Sequence, residues 1–412
     1  MSADVGKRPV VYHPLSVRMK NTLGFFLPKP RLVMDDIITE AETHAGCTDW
    51  GHPGFQDGLY AFISAFNRAR LPLETVKGAK VILMTGAIRR LRMYDLLRKH
   101  PEIEDTPIPR PIFISGMPRT GSTLLQRLLS ADPEHRPLLY WEALSCTPPP
   151  EPEGHAGDPR IAGVQAMLDG FSHVAPDFQS VHHSAAAEPD ECNPIFQLAF
   201  ASPTLCARYP LPDYARWFAG YDMREAYRLH KQYLQILAWK FPARTWVCKA
   251  PAHLEHLPAL FDIYPDARVV LTHRDPAAMV ASSASMVRYM RHIFAFGAGG
   301  DARTVGMEMN ARLAAIWKRA GLDREHLPAD RFVDVAYHRL IQDPMACVED
   351  LYRTLHIPLS DAARTAMTAW LADNGRGKHG NHRYHLSWFG LTRDQVDATF
   401  ADYLARYGAY LA

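Results

Sequence analysis

The stretch PIFISGMPRTGSTLLQRLLSA, residues 111–131, decides the fold. PIFIS at 111–115 is a short apolar run between a proline and a glycine, the mark of a buried strand. Leu124, Leu125, Leu128 and Leu129 recur on one face, which predicts a helix opening near Ser122. Between the two, Gly116 and Gly121 stand at the spacing of a nucleotide P-loop, GxxxxGK[ST]. Glycines at these places let backbone N–H groups close around an anion, and the helix start adds a positive dipole end. Ser122 and Thr123 can add hydroxyl donors. The departure from the motif matters more than the match. Position 122, where a P-loop has lysine, is serine, and the basic residue is Arg119 inside the loop. A nucleotide triphosphatase without that lysine would lose its hold on the β- and γ-phosphates. An arginine fork inside the loop suits a doubly anionic terminal group. The alternative is a plain glycine turn with no ligand.

Outward from this stretch, strands alternate with helices. TWVCK at 245–249, RVVLTH at 268–273 and RFVDV at 331–335 read as strands. Helical patterns fill 224–240, 253–263, 276–287 and 301–320, and again 344–355, 360–372 and 392–406. Alternation of this kind predicts an α/β, P-loop-like three-layer fold: a central, mostly parallel sheet flanked by helices. Leu59, Phe62, Ile63 and Phe66 open a helical segment over 57–99. The proline-rich 100–111 reads as a linker. A helical N-terminal extension, 1–107, is therefore expected before the main domain, 108–412. Residues 147–163 form a Pro/Gly-rich loop.

Composition sets the outer bounds. The 412 residues are 47% hydrophobic and 22% charged, as in ordinary globular chains long enough to bury a core. Lys plus Arg total 46 against 44 Asp plus Glu, a formal charge of +2, so no polybasic nucleic-acid binder is expected. No apolar run approaches the roughly 20 residues that cross a bilayer, and the first residues lack a signal-peptide pattern. Six cysteines, at 47, 146, 192, 206, 248 and 347, form no CxxC pair. They read as reduced core thiols in a cytoplasmic protein, with a disulfide between distant partners as the alternative.

At PRTGST, 118–123, the chain resembles the sulfotransferase superfamily, whose 5′-phosphosulfate loop reads P-[KR]-[ST]-G-[ST]-T after a strand. The resemblance is to bacterial-type members, with features closest to the tyrosylprotein-like branch. It implies 3′-phosphoadenosine-5′-phosphosulfate (PAPS) as sulfuryl donor, 3′-phosphoadenosine-5′-phosphate as product, and a sulfotransferase domain over 108–412. Arg119, Thr120, Gly121, Ser122, Thr123 and Leu124 would hold the phosphosulfate. The family also places an arginine at the end of a later strand and a serine eight residues on, both for the 3′-phosphate. Arg274 and Ser282 have that spacing. Ala336-Tyr337-His-Arg-Leu-Ile-Gln-Asp343-Pro344 partly matches Y-E-D-L-x-x-D-P, which puts Tyr337 near the adenine. Arg376 and Lys378, in GRGKHGNHR at 375–383, correspond to a basic loop over the 3′-phosphate.

Sulfuryl transfer needs a base for the acceptor hydroxyl and cations for charge on the leaving phosphate oxygen. Lys249, in Lys249-Ala-Pro251, fits the lysine of the tyrosylprotein branch, whose base is a glutamate some twenty residues after the loop arginine. Glu142 lies 23 positions after Arg119 and is the expected base. Lys249 and Arg119 would stabilise the transferring group, with His253 as second choice of base. The alternative for Glu142 is a helix-start carboxylate. Glu188, Asp190 and Glu191 read as a solvated turn, or else as part of an acceptor pocket. His379, His382 and His385 lack a further ligand, so no metal is expected. The acceptor stays open between a hydroxylated small molecule, a lipid, a carbohydrate and a peptide, and the N-terminal helices could shape its pocket or a homodimer contact. Rival readings are a nucleotide kinase or triphosphatase with an altered P-loop, and a non-catalytic nucleotide-binding module.

Overall fold

A computed structural model describes residues 11–24, 30–375 and 383–411. Besides the short helix Leu15–Gly24, three α-helices precede the sheet: α1 (Met34–Ala45), α2 (Phe55–Arg68) and α3 (Leu73–Lys99). The helical segment read over 57–99 is thus two helices. Arg70 adopts a left-handed conformation and Pro72, which has no N–H to give, starts the second one.

The sheet has five strands: β1 (Ile112–Gly116), β2 (His135–Pro137), β3 (Thr245–Lys249), β4 (Arg268–His273) and β5 (Phe332–Ala336). Their order is β2-β3-β1-β4-β5, and every pairing is parallel. Four of them are the strands read from the apolar runs. β2 is the addition: His-Arg-Pro has no apolar pattern, and its place comes from pairing His135 with Thr245. A parallel sheet is covered on both faces, and the residues of β1 show it. Ile112 and Ile114 point into one apolar cluster with Leu125, Leu128 and Val270. Phe113, between them, points into the other with Trp246 and Val269. Leu59, Phe62, Leu83 and Leu91 of α2 and α3 belong to that second cluster, so the N-terminal helices share a core with the sheet.

The remaining elements that build the site are α4 (Ser122–Ser130), α5 (Arg224–Trp239), α6 (Pro276–Phe294) and α7 (Ala302–Arg324). Because β1 is central, the chain leaves it toward β2 and β3 on one side and returns to β4 and β5 on the other. Such a switch point opens a crevice at the carboxyl ends of the strands. Among the described residues no helix is long and apolar enough to cross a membrane.

Gly116 closes β1 at a φ of +142°, and a Cβ there would fall 2.5 Å from Thr272 Oγ1. Gly116→Ala is expected to destabilise the fold by about 1–3 kcal/mol, read as a lower denaturant midpoint. An unchanged midpoint would contradict this packing.

Candidate active site

The loop between β1 and α4 turns on two left-handed residues, Arg119 at φ +72° and Gly121 at φ +86°. A non-glycine residue rarely holds this conformation, while successive amides around such residues form anion-binding concavities. Gly121 precedes the helix, and no side chain caps it, which leaves the first amides of α4 facing the loop. A Cβ at Gly121 would stand 3.0 Å from Leu340 and 3.2 Å from Tyr337. Thr120 is fully buried; its hydroxyl donates to the Met117 carbonyl at 2.7 Å and meets the Thr272 hydroxyl. Its side chain therefore locks the loop to β4. Leu124 contributes its backbone to the first turn, and its side chain packs on the sheet.

Arg274 follows β4 directly. Its guanidinium donates to the Arg119 carbonyl at 2.8 Å and lies 4.2 Å over the Tyr337 ring. Arg119 itself donates to the Val181 carbonyl at 3.1 Å. Among the described residues no carboxylate pairs with either guanidinium. Burial, and then the charge of Arg274, push the Arg119 guanidinium below its usual pKa. Ser282 and Ser283 of α6 are buried, and neither hydroxyl has a hydrogen-bond partner among the described residues. Ser283 lines the cavity beside Arg274, whereas Ser282, expected from its spacing, does not. An uncapped helix start, two cations with no counter-ion among the described residues and orphaned hydroxyls fit a ligand with two anionic groups. Arg376, Lys378, His379 and His382 lie outside the described residues.

These groups open on a cavity of about 420 Å³. Part of its lining is polar: Arg119, Ser122, Thr123, Arg274, Ser283 and Tyr337. Another part is apolar, with Phe178, Val181, Met286, Met290, Leu313 and Ile316. Glu191 stands on the wall as well. Its Oε1 accepts from Lys249 Nζ at 2.9 Å, and the same ammonium donates to Thr123 Oγ1 at 3.3 Å. Lys249 closes β3 and is 3% exposed. Burial alone would raise the Glu191 carboxyl, but the Lys249 and His182 charges hold it below the usual glutamate value. It is therefore a carboxylate at neutral pH.

The acidic run 188–191 is thus not a solvated turn. Asp190 and Glu191 line the cavity, and Glu188 pairs with Arg127 at 2.6 Å. What carries the run there is backbone pairing with a distant segment. Tyr140 and Trp141 amides donate to the Glu188 and Ala186 carbonyls, and the Asp190 amide to the Leu138 carbonyl.

The two expected bases both lie off the cavity wall. Glu142 is fully buried and is not on the cavity wall. Its oxygens accept from Arg136 at 2.9 Å, from His155 at 3.0 Å and from the Leu139 amide at 3.2 Å. Those bonds engage both of its oxygens, as Lys249 and Asn193 engage both oxygens of Glu191; what sets the two acids apart is that Glu191 stands on the cavity wall. His253 is fully buried too, sharing a hydrogen bond of 2.9 Å with the Tyr227 hydroxyl, and does not line the cavity. Arg312 and Glu255, paired at 3.4 Å on the wall, have no motif around them in the sequence.

A parallel sheet with an anion loop after its first, central strand defines a P-loop-like α/β protein. The chain belongs to the Sulfotransferase family, which residues 111–361 match. It is similar to the omega-hydroxy-beta-dihydromenaquinone-9 sulfotransferase Stf3 of Mycobacterium bovis and of Mycobacterium tuberculosis. Each is 24% identical over 314 residues, 72% of this chain and 75% of the relative. Among solved structures, sulfotransferase STF1 from Mycobacterium tuberculosis is 30% identical with a TM-score of 0.80, covering 91% of this chain and 100% of that one. Sulfotransferase STF9 from Mycobacterium avium is 27% identical with a TM-score of 0.84, covering 91% and 96%.

Arg119→Ala and Arg274→Ala should each weaken binding of adenosine 3′,5′-bisphosphate about tenfold or more, the worth of a charge-assisted hydrogen bond. Calorimetric titration checks this, and wild-type affinity in both variants would contradict the site.

Proposed function

We propose that the chain transfers a sulfuryl group from PAPS to the hydroxyl of an apolar, lipid-like acceptor. The observation that carries this reading is the contact line Thr123–Lys249–Glu191. It joins the anion loop to an ionised carboxylate on the wall of a partly apolar cavity. When bound, PAPS would supply the activated sulfuryl group. The loop amides, Arg119, Ser122 and Thr123 would hold its 5′ end. Arg274, with the orphaned hydroxyls of α6 and with Tyr337 beside it, would hold the 3′ end. Lys249 and Arg119 offset negative charge on the leaving phosphate oxygen. Glu191 takes the proton of the acceptor hydroxyl, the role expected of Glu142 from spacing.

The acceptor class rests on the lining and on a relative. Phe178, Val181, Met286, Met290, Leu313 and Ile316 suit an apolar body better than a sugar or a charged peptide. The similar Stf3 enzymes are named for an omega-hydroxylated dihydromenaquinone. The transfer chemistry is assigned to 108–412 and a supporting role to 1–107, whose helices share the core behind β1 and β3. Six unpaired cysteines support a cytoplasmic location.

Glu191→Gln is expected to lower kcat about 10²–10⁴-fold with affinity for adenosine 3′,5′-bisphosphate nearly intact. Because the folded carboxyl is held low, the wild-type rate should persist on acidification until below the ordinary glutamate pKa, about 4.3. Full turnover by the variant, or an acid limb well above that value, would assign the base elsewhere.

A further inference from the structure

Behind the Lys249–Glu191 pair lies a second cluster that the transfer chemistry does not use. Cys248 precedes Lys249 in β3, and Cys192 follows Glu191; both thiols are fully buried. Alternation along the strand turns Cys248 away from the Lys249 side and into the main core. There it meets His230, which α5 presents. The ligand atoms of Cys192, Cys248 and His230 lie within 4.8 Å of one another. The His253 ring, from the turn of helix after β3, lies 6.1 Å from that of His230, centroid to centroid.

Each imidazole is already fixed through one nitrogen. His230 Nδ1 shares a hydrogen bond of 2.8 Å with the Tyr264 hydroxyl, and His253 Nδ1 one of 2.9 Å with the Tyr227 hydroxyl. Both Nε2 atoms are buried and have no hydrogen-bond partner among the described residues. An imidazole oriented at one nitrogen and bare at the other, beside thiols, has the form of a metal ligand with its outer-shell partner. Aromatic walls keep the place dry: the Phe196 ring stacks on His230 at 5.5 Å, and the Phe113 ring meets His253 edge-on at 4.9 Å.

We propose that Cys192, Cys248 and His230 bind a soft divalent cation, zinc first among them, and that the adjacent His253, whose buried Nε2 has no partner among the described residues, swings in to complete the set. Two sulfurs and two imidazole nitrogens are the donor set of closed, tetrahedral structural zinc, and the absence of a carboxylate among them disfavours magnesium or calcium. Loading releases one proton from each thiol, and the two thiolates neutralise the ion. No position is left for substrate, so the ion is structural. It ties together the chain neighbours of Glu191 and Lys249, whose segments already meet where the Cys192 amide donates to the Lys249 carbonyl at 2.9 Å. The ion is thus a positioning device for that pair.

The test is metal content, which is independent of transfer activity. Protein purified without chelator, dialysed and acid-denatured should release about one zinc per chain by mass spectrometry. Cys192→Ala and Cys248→Ala should lose it. Since either substitution could unfold the core, a second measurement uses the wild type. Grown in zinc-depleted, cobalt-supplemented medium, it should show thiolate-to-cobalt charge transfer and the visible bands of a tetrahedral site. Wild-type protein that is metal-free and lacks the cobalt bands overturns the proposal, as does a stable Cys192–Cys248 disulfide. Neither result touches the sulfuryl-transfer reading.

Discussion

Two guanidiniums held side by side, with no counter-ion among the described residues, set the terms for this molecule. Arg119 and Arg274 meet where one donates to the backbone of the other, and no described carboxylate neutralises them. Like charges in a partly desolvated place repel, and the cost is offset when an anion arrives. The fold accepts this arrangement because the surrounding backbone is over-determined. Gly116 fits against Thr272, Thr120 is locked to the same residue, and Gly121 is packed by Leu340 and Tyr337. A loop fixed on three sides can hold a left-handed arginine that a free loop would relax.

From that loop a line of contacts reaches the cavity wall through one lysine. Lys249 ends β3, touches Thr123 at the start of α4 and pairs with Glu191. The carboxylate is brought in by a segment running beside 138–141, and that segment in turn is held by Glu142. Arg136, bound to Glu142, also donates to the Leu237 carbonyl at 2.9 Å and lies 4.7 Å over the Trp246 ring. Glu142 therefore acts two steps from the cavity. Removing one partner of such a buried pair leaves an uncompensated charge, so Glu142 and Arg136 hold that segment in place together.

The sequence made the first half of this legible and hid the second. β1, the loop and α4 are contiguous, so apolar run, glycine spacing and leucine face could be read in one pass. The other apolar strands were read the same way, while β2 was hidden because three residues without apolar pattern are specified only by their neighbour. Arg274 is legible because strand end and helix start adjoin it. Glu191 reads as solvated in the sequence because its partner is 58 residues away. Glu142 had the right spacing from Arg119, but its capture by Arg136 and His155 depends on how 136–155 folds. Ser282 and Ser283 are neighbours in the chain, and only the turn of α6 decides which one meets the cavity.

The central claim is that the cleft recognises two anionic groups at once, at Arg119 and at Arg274. The most direct measurement is a calorimetric comparison of adenosine 3′,5′-bisphosphate with adenosine 5′-monophosphate on the wild-type protein. Saturable binding that is about tenfold or more tighter for the bisphosphate is the predicted result. Equal affinity for the two, or no binding of either, would contradict it.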